Sequence, residues 1–376
     1  MAHAAKGPLP LAPDFLSPPP GDTLADLLDE HRMSQLELAS RCGVSVKLVN
    51  EVISGTAPLS ASLAIALEQV FRVPARLWMR LEANYRADLA KADAQLSAAE
   101  AKAWVQRFSY SALAKLSFVP ADNGRTAEAY HRKADALLDL FRVKSPAEWE
   151  GVWLNPKVAF RRSLKGLKKP YDTSVWLRAG ELAAEKLACA PYGRTAFLKV
   201  FQDVRAAALR EDIGQAIKDV QAAFAKTGVA LVVLPAPPGI GVSGATHWRH
   251  SDLAILQLSL RYKSDDQFFF TLAHEAAHIL LHGKRDVFLE GAEGNDEQKE
   301  AEANQWAANF WVPTKKRQAF ERRAEWSESA IREFAQALGV PAGIVVGQLQ
   351  HSGYLPVTHH NGLKRKLVWA NSTSTS

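Results

Sequence analysis

The chain has 376 residues, of which 47% are hydrophobic and 23% charged, and its formal net charge is +6. Its length and apolar content are sufficient for two or three domains with hydrophobic cores. The two cysteines, Cys42 and Cys189, are too few for a disulfide scaffold or an all-thiolate metal site, and their scarcity suits a reducing compartment.

The N-terminal segment, the apolar runs and the charge distribution limit the class of protein further. Residues 1–20 are rich in proline and alanine, so we expect a disordered tail without the apolar stretch of a signal peptide. No apolar run is long enough to cross a bilayer, which predicts a cytoplasmic protein with no membrane partner. Residues 100–226 carry 22 basic and 14 acidic side chains, with the densest basic run at 161–169. That run can meet nucleic acid or an acidic partner; a solvated loop is the alternative.

The segment 34–55, SQLELASRCGVSVKLVNEVISG, predicts two short helices joined by a tight turn. Ser34 and Ser45 can cap the two helices, and Gly43 permits the turn between them. The apolar side chains predicted to face the core are Leu36, Leu38, Ala39, Val49 and Ile53. This pattern is typical of a helix-turn-helix, whose second helix enters the major groove of DNA.

The wider segment 21–91 resembles the XRE-type helix-turn-helix of HigA-family antitoxins, including the "PG" entry, the "SGTAPLS" loop and the "LEANY" helix. The resemblance implies an all-α domain that binds a DNA operator. The residues that it places at the DNA are Gln35, Ser45, Lys47 and Asn50. Lys and Asn suit contacts with phosphate, guanine and adenine. A helix-turn-helix used for protein contact is the alternative, since this part of the chain is not basic.

The rest of the chain is predicted to form helices around a small sheet. Residues 92–172 are predicted to be a helical linker region, and helices continue from 173. Two β-rich segments, 229–235 and 252–262, predict strands, with a loop or short strand between them. Residues 321–358 contain a second helix-turn-helix-like pair, and 359–376 are predicted to be a tail. The predicted fold class is therefore mainly α with a small β-sheet.

The segment 271–283, TLAHEAAHILLHG, contains two histidines one helical turn apart. On a helix His274 and His278 share a face, so both imidazoles can reach one metal ion. Glu275 follows the first histidine, as does the general base of HExxH metallopeptidases. A metal-free helix is the alternative.

A catalytic zinc needs a third protein ligand. Leu281 and Lys284 stand where a metzincin has glycine and histidine, so that class is excluded. The helix predicted over 297–313 offers three glutamates as candidates, which are Glu297, Glu300 and Glu302.

The pair HEAAHILLHG and EAEANQWAANFWVP resembles the ImmA/IrrE family of metallopeptidases. The resemblance implies an α+β, zincin-like peptidase domain over 173–320 that holds one Zn²⁺ per chain. It also selects Glu302 as the third ligand beside His274 and His278, with Glu275 as the catalytic base. Candidate stabilisers of the oxyanion are Tyr262, His247 and His351.

Two hypotheses follow. The first is a DNA-binding transcriptional regulator with a zinc-dependent endopeptidase domain that cleaves a repressor-type protein or an antitoxin. Such a protein would act in stress response, in mobile-element control or in a toxin–antitoxin system. The second is an antitoxin-like repressor whose metallopeptidase fold is structural or sensory. A two-fold operator would require a homodimer.

Overall fold

A computed structural model describes residues 17–94, 96–153, 167–284, 288–289 and 297–369. The chain divides into two compact units, Met1–Leu96 and Ser97–Ser376. Among the described residues no helix has both the length and the apolar character needed to span a membrane. Residues 161–166 of the basic run at 161–169 lie outside the described part of the chain.

The described part of the N-terminal unit contains five helices. They are α1 (Pro20–Glu30), α2 (Gln35–Cys42), α3 (Val46–Ile53), α4 (Ala61–Phe71) and α5 (Ala75–Ala94). The predicted caps are confirmed, because Ser34 accepts a hydrogen bond from the N–H of Glu37 at 3.2 Å and Ser45 one from Leu48 at 3.1 Å. Gly43 takes the left-handed conformation, with φ of 66°, between α2 and α3.

The core of this unit corrects one predicted side-chain direction. Leu38 and Val49 are fully buried, but Leu36 is 69% exposed. Because residues two apart on a helix point about 200° away from each other, Leu36 and Leu38 cannot both face the core. Of the predicted tail at 1–20, residues 1–16 lie outside the described part; Ser17 hydrogen-bonds to Asp88, and Pro20 already begins α1.

In the described residues of the second unit, eight helices precede the sheet. They are α6 (Ala98–Val105), α7 (Tyr110–Lys115), α8 (Ala127–Phe141), α9 (Pro146–Trp153), α10 (Pro170–Ala184), α11 (Arg194–Phe201), α12 (Val204–Leu209) and α13 (Ile213–Ala225). An aromatic cluster joins the region predicted as a linker to α10: Trp149 stacks on Tyr171 at 5.0 Å, and Phe108 contacts both rings. This region is therefore packed into the same unit as the sheet.

The sheet has four strands in the order β1-β3-β2-β4. They are β1 (Val229–Val233), β2 (Gly244–His250), β3 (Leu253–Leu258) and β4 (Phe288–Leu289). β1 and β3 are parallel, with Val229 opposite Ala254, whereas β2 is antiparallel to β3 and to β4. Both faces of β3 are buried, since Leu256 and Gln257 are each fully inaccessible.

Five α-helices follow β3 in the described part of the chain. They are α14 (Asp265–Leu281), α15 (Glu297–Trp311), α16 (Thr314–Glu321), α17 (Glu328–Leu338) and α18 (Ala342–His351). Part of the segment predicted to be a tail, 359–376, packs against these helices: residues 361–363 form a 3-10 turn, and Arg365 Nε binds Asp265 Oδ2 at 2.7 Å. Residues 370–376 lie outside the described part. The predicted fold class, mainly α with a small sheet, is confirmed.

Candidate metal centre

The helix α14 brings its two histidines together because they are spaced by one turn. His274 Nε2 and His278 Nε2 are 2.9 Å apart, and both side chains are almost fully buried. Apolar residues of α14 pack into the core on either side of them, including Phe269, Leu272 and Ala276. The helix thus presents two imidazole nitrogens at one point on a buried face.

Glu300, on α15, completes this cluster. Its Oε2 lies 3.2 Å from His274 Nε2 and its Oε1 lies 3.6 Å from His278 Nε2. One ligand atom from each of these three residues lies within 4.8 Å of the others. Two imidazole nitrogens and a carboxylate oxygen are a common set of protein ligands for catalytic zinc.

This placement differs from the sequence prediction of Glu302. Glu302 Oε2 lies 3.3 Å from His282 Nε2, and its side chain is 46% exposed. Glu300 and Glu302 are two positions apart on α15, so they point in different directions and only Glu300 faces the two Nε2 atoms. Within the described part of the chain, the clustered potential ligands are His274, His278 and Glu300, and do not include Glu297 or Glu302.

Hydrogen bonds on the far side of each imidazole orient the two histidines. His274 Nδ1 lies 3.0 Å from Asn304 Oδ1, and His278 Nδ1 lies 2.9 Å from His282 Nδ1. An amide oxygen only accepts, so the proton of neutral His274 is on Nδ1 and the lone pair is on Nε2. Such outer partners are what fix the tautomer of a metal-binding histidine.

The surroundings keep His278 neutral. Its ring stacks on Phe288 of β4 at a centroid distance of 3.8 Å and an angle of 14°. Burial, with His274, His282 and Lys299 as further contributors, lowers the pKa of His278 to about 2. A neutral imidazole is the form that donates a lone pair to a metal.

Glu275 is fully buried against the start of β2. A Cβ on Gly244 would lie 2.5 Å from Glu275 Oε1 and 2.7 Å from its Cγ, so only glycine leaves room for this carboxylate. The hydroxyl of Thr246 donates to the backbone carbonyl of Glu275 at 3.2 Å, which ties the strand to the helix. The requirement for Gly244 was missed at the level of sequence, although the residue lies in the SGATHW segment.

The three oxyanion candidates lie in different surroundings. His247 is 1% exposed and its Nε2 lies 3.8 Å from Glu181 on α10, on the face of β2 away from α14. Tyr262 is 51% exposed, with the Arg261 guanidinium 4.9 Å from its ring centroid. His351 lines a cavity of about 550 Å³ that also includes Asn304, the partner of His274. Of the three, the position of His247 argues most clearly against the predicted role.

The residues predicted to contact DNA lie at the surface of the N-terminal unit. Ser45, Lys47 and Asn50 are exposed, and Gln35 is half-buried. Lys47 is paired with Glu51 at 3.7 Å but keeps 83% of its side chain exposed. The hydroxyl of Ser45 caps α3, so that residue has a structural task at this position.

Comparison with known proteins gives two family matches. Residues 24–78 match the helix-turn-helix family, and residues 229–349 match the family of IrrE N-terminal-like domains, which is a peptidase family, M78. The comparison with curated proteins gives no match. The M78 match contains the entire cluster of His274, His278 and Glu300.

Similar solved structures belong to short proteins. One is a putative antidote protein of a plasmid maintenance system from Nostoc punctiforme, with 28% identity, 21% of this chain and 87% of that chain covered, and a TM-score of 0.21. Another is the Pseudomonas aeruginosa antitoxin HigA with the higBA promoter, with 32% identity, 20% and 85% covered, and a TM-score of 0.20. The chain carries an XRE-type helix-turn-helix domain at residues 24–78 and an IrrE-like peptidase M78 domain at residues 229–349.

Proposed function

We propose that the protein is a DNA-binding transcriptional regulator with a zinc-dependent endopeptidase domain that cleaves a repressor-type protein or an antitoxin in the cytoplasm. The observation that carries the peptidase part is the convergence of His274, His278 and Glu300 on one buried point. The helix-turn-helix domain supports the DNA-binding part, with Gln35, Ser45, Lys47 and Asn50 as the proposed contacts.

The residues fit one zinc ion per chain. His274 and His278 would bind it through Nε2 and Glu300 through its carboxylate, which is a set of three protein ligands that suits a catalytic zinc. A bound zinc ion would supply Lewis acidity to the attacking water and the scissile carbonyl. Glu302, the ligand predicted from sequence, would act instead through His282.

Glu275 is proposed as the general acid–base group. It would take the proton of the attacking water and pass it to the nitrogen of the leaving amine as the peptide bond breaks. Gly244 positions the carboxylate by leaving space beside it, and Thr246 anchors the turn of helix that carries it. Asn304 keeps the proton of His274 on Nδ1, away from the metal side of the ring.

Metal analysis of the full-length protein tests the ligand set. We expect about one zinc per chain in the wild type and loss of zinc in Glu300→Gln. Glu302→Gln should keep the stoichiometry with weaker binding, and Glu297→Gln is the control on the same helix. Loss of zinc in Glu302→Gln with retention in Glu300→Gln would reverse the assignment. A wild type that takes up no zinc would contradict the peptidase proposal.

Cleavage can be tested in cells without a known substrate. New protein N-termini are identified by mass spectrometry in cells that express the wild type or Glu275→Gln. Termini found only with the wild type support proteolysis and identify the target. If none differ and gene regulation is unchanged in Glu275→Gln, the antitoxin-like repressor with a non-proteolytic domain is the better account.

A further inference from the structure

A second cavity lies on the other face of the sheet from the metal helix. It has a volume of about 390 Å³, which is within the usual range for small-molecule sites. β2 separates the two regions, since Thr246 reaches Glu275 on α14 whereas the next residue, His247, faces α10 and lines the cavity. This cavity therefore differs from the proposed metal centre in position and in residues.

Three arginines line the cavity and are bridged by two glutamates. Arg178 Nη1 binds Glu181 Oε2 at 2.6 Å, on α10. Glu185 accepts from Arg142 at 3.2 Å and from Arg249 at 3.3 Å. Three guanidinium groups against two carboxylates leave one positive charge in excess.

Arg178 supplies the strongest indication of a ligand. Its side chain is only 5% exposed, its Nε donates to the carbonyl of Leu140 at 2.9 Å, and its Nη1 is paired with Glu181. Nη2 of Arg178 has no hydrogen-bond partner among the described residues. This N–H group borders the cavity, so an oxygen of a bound ligand can accept a hydrogen bond from it.

The remaining wall of the cavity is apolar and aromatic. Phe141 and Trp153 line it, with ring centroids 5.3 Å apart and planes at 63°. Both side chains are at least 95% buried in the fold and so are held in place. Fixed aromatic rings beside guanidinium groups can recognise a ligand that has a planar or apolar part and an anionic group.

We propose that this cavity binds a small organic anion, a carboxylate or phosphate group on an apolar or aromatic body. The buried Arg178 meets the anionic group through Nη2. Arg142 and Arg249, whose side chains are 64% and 43% exposed, close over it from the solvent side. Phe141 and Trp153 contact the body of the ligand.

Calorimetric titration of the full-length, zinc-supplied protein tests this proposal with four probes. Benzoate and phenyl phosphate carry the two kinds of anion on one ring, benzamide is the neutral analogue, and inorganic phosphate has no apolar body. We expect at least one of the ring-bearing anions to bind more tightly than benzamide and inorganic phosphate. Which of the two binds more tightly distinguishes a carboxylate ligand from a phosphate ligand.

The double variant Arg142→Gln/Arg249→Gln should weaken that binding by about tenfold or more, because charge-assisted hydrogen bonds are lost. Arg332→Gln, an exposed arginine on α17, is the matched control and should bind as the wild type does. Binding at the metal centre would be unaffected by either change. Equal binding to the double variant, equal affinity for benzamide, or no binding of benzoate and phenyl phosphate at millimolar concentration would overturn the proposal.

Discussion

His278 Nδ1 and His282 Nδ1 face each other at 2.9 Å, so one of the two nitrogens carries a proton and donates a hydrogen bond to the other. If His278 uses Nε2 for a metal, its proton is on Nδ1 and His282 accepts. The proton of His282 is then on Nε2, 3.3 Å from Glu302 Oε2. The two rings and the carboxylate therefore form an ordered chain that fixes the tautomer of His278.

Replacing His282 should weaken zinc binding without changing its stoichiometry. Loss of an outer partner of this kind typically costs about 10–100-fold in metal affinity. We expect His282→Ala to show this loss in a competition titration with a chelator. His282→Gln, whose amide oxygen can accept from His278, should recover part of it. Equal affinity for His282→Ala and the wild type would contradict the role.

Gly244→Ala should displace Glu275. The added methyl group would lie well inside contact distance of the Glu275 carboxylate, and such overpacking costs about 1–3 kcal/mol of stability. Chemical unfolding checks the cost, and zinc content should be unchanged because the cluster of His274, His278 and Glu300 is left intact.

Gly151→Ala is the matched control for that substitution. A Cβ at Gly151 meets nothing within 4 Å, and the residue lies inside α9. Alanine there should be neutral or stabilise by up to about 1 kcal/mol, since glycine is unfavourable inside a helix. Similar destabilisation by both substitutions would mean that the contact with Glu275 is not the cause.

Leu36 and Leu38 allow a matched comparison of two alanine substitutions in the N-terminal unit. Leu38 is fully buried and Leu36 is 69% exposed, although they lie on the same helix. Leu38→Ala should destabilise the unit by about 2–5 kcal/mol, and Leu36→Ala by less than about 0.5 kcal/mol. Thermal unfolding of the two variants measures the difference, and similar losses would contradict the observed direction of α2.

His247 should make stability depend on pH. Burial, with Arg249 as a further contributor, lowers its pKa to about 3 from 6.5. Glu181 Oε1 lies 3.8 Å from its Nε2 and favours the protonated form, but full burial outweighs that attraction. Between these pKa values the unfolded chain binds a proton that the folded chain does not, so stability falls as the pH drops from about 6.5 towards 3.

The comparison with His247→Gln isolates that contribution. The wild type should lose up to about 1.4 kcal/mol more per pH unit than the variant within this window. Above pH 7 the two unfolding curves should run parallel. A constant difference from pH 7 to pH 4 would show that His247 is protonated equally in both states.

The parts of the fold that depend on local spacing were predictable. The pairing of His274 with His278 follows from one helical turn, and the caps at Ser34 and Ser45 follow from backbone needs at helix starts. The choice between Glu300 and Glu302 was not predictable in this way. It depends on how α15 is rotated about its axis against α14, which tertiary packing decides.

The arginine-lined cavity was beyond the reach of sequence reasoning for the same reason. Arg142 follows α8, Arg178 lies on α10, and Arg249 lies on β2, so no local pattern connects them. Likewise, the position of His247 behind the sheet required knowledge of which helix covers each face. The periodicity of a helix or strand shows which side chains share a face. Which neighbouring element that face contacts is known only from the tertiary structure.

The contact between Asp265 and Arg365 has a consequence for the order of events during synthesis. Asp265 opens the helix that carries the two histidines, and its carboxylate binds Arg365, which is 100 residues further along the chain. The N–H of Leu367 also donates to the carbonyl of Lys263 at 2.9 Å, just before that helix. The ribosome must therefore add another hundred amino acids after Asp265 before the first turn of this helix acquires its native partners. A nascent chain halted between Glu300 and Arg365 contains both histidines and Glu300 but lacks this anchor.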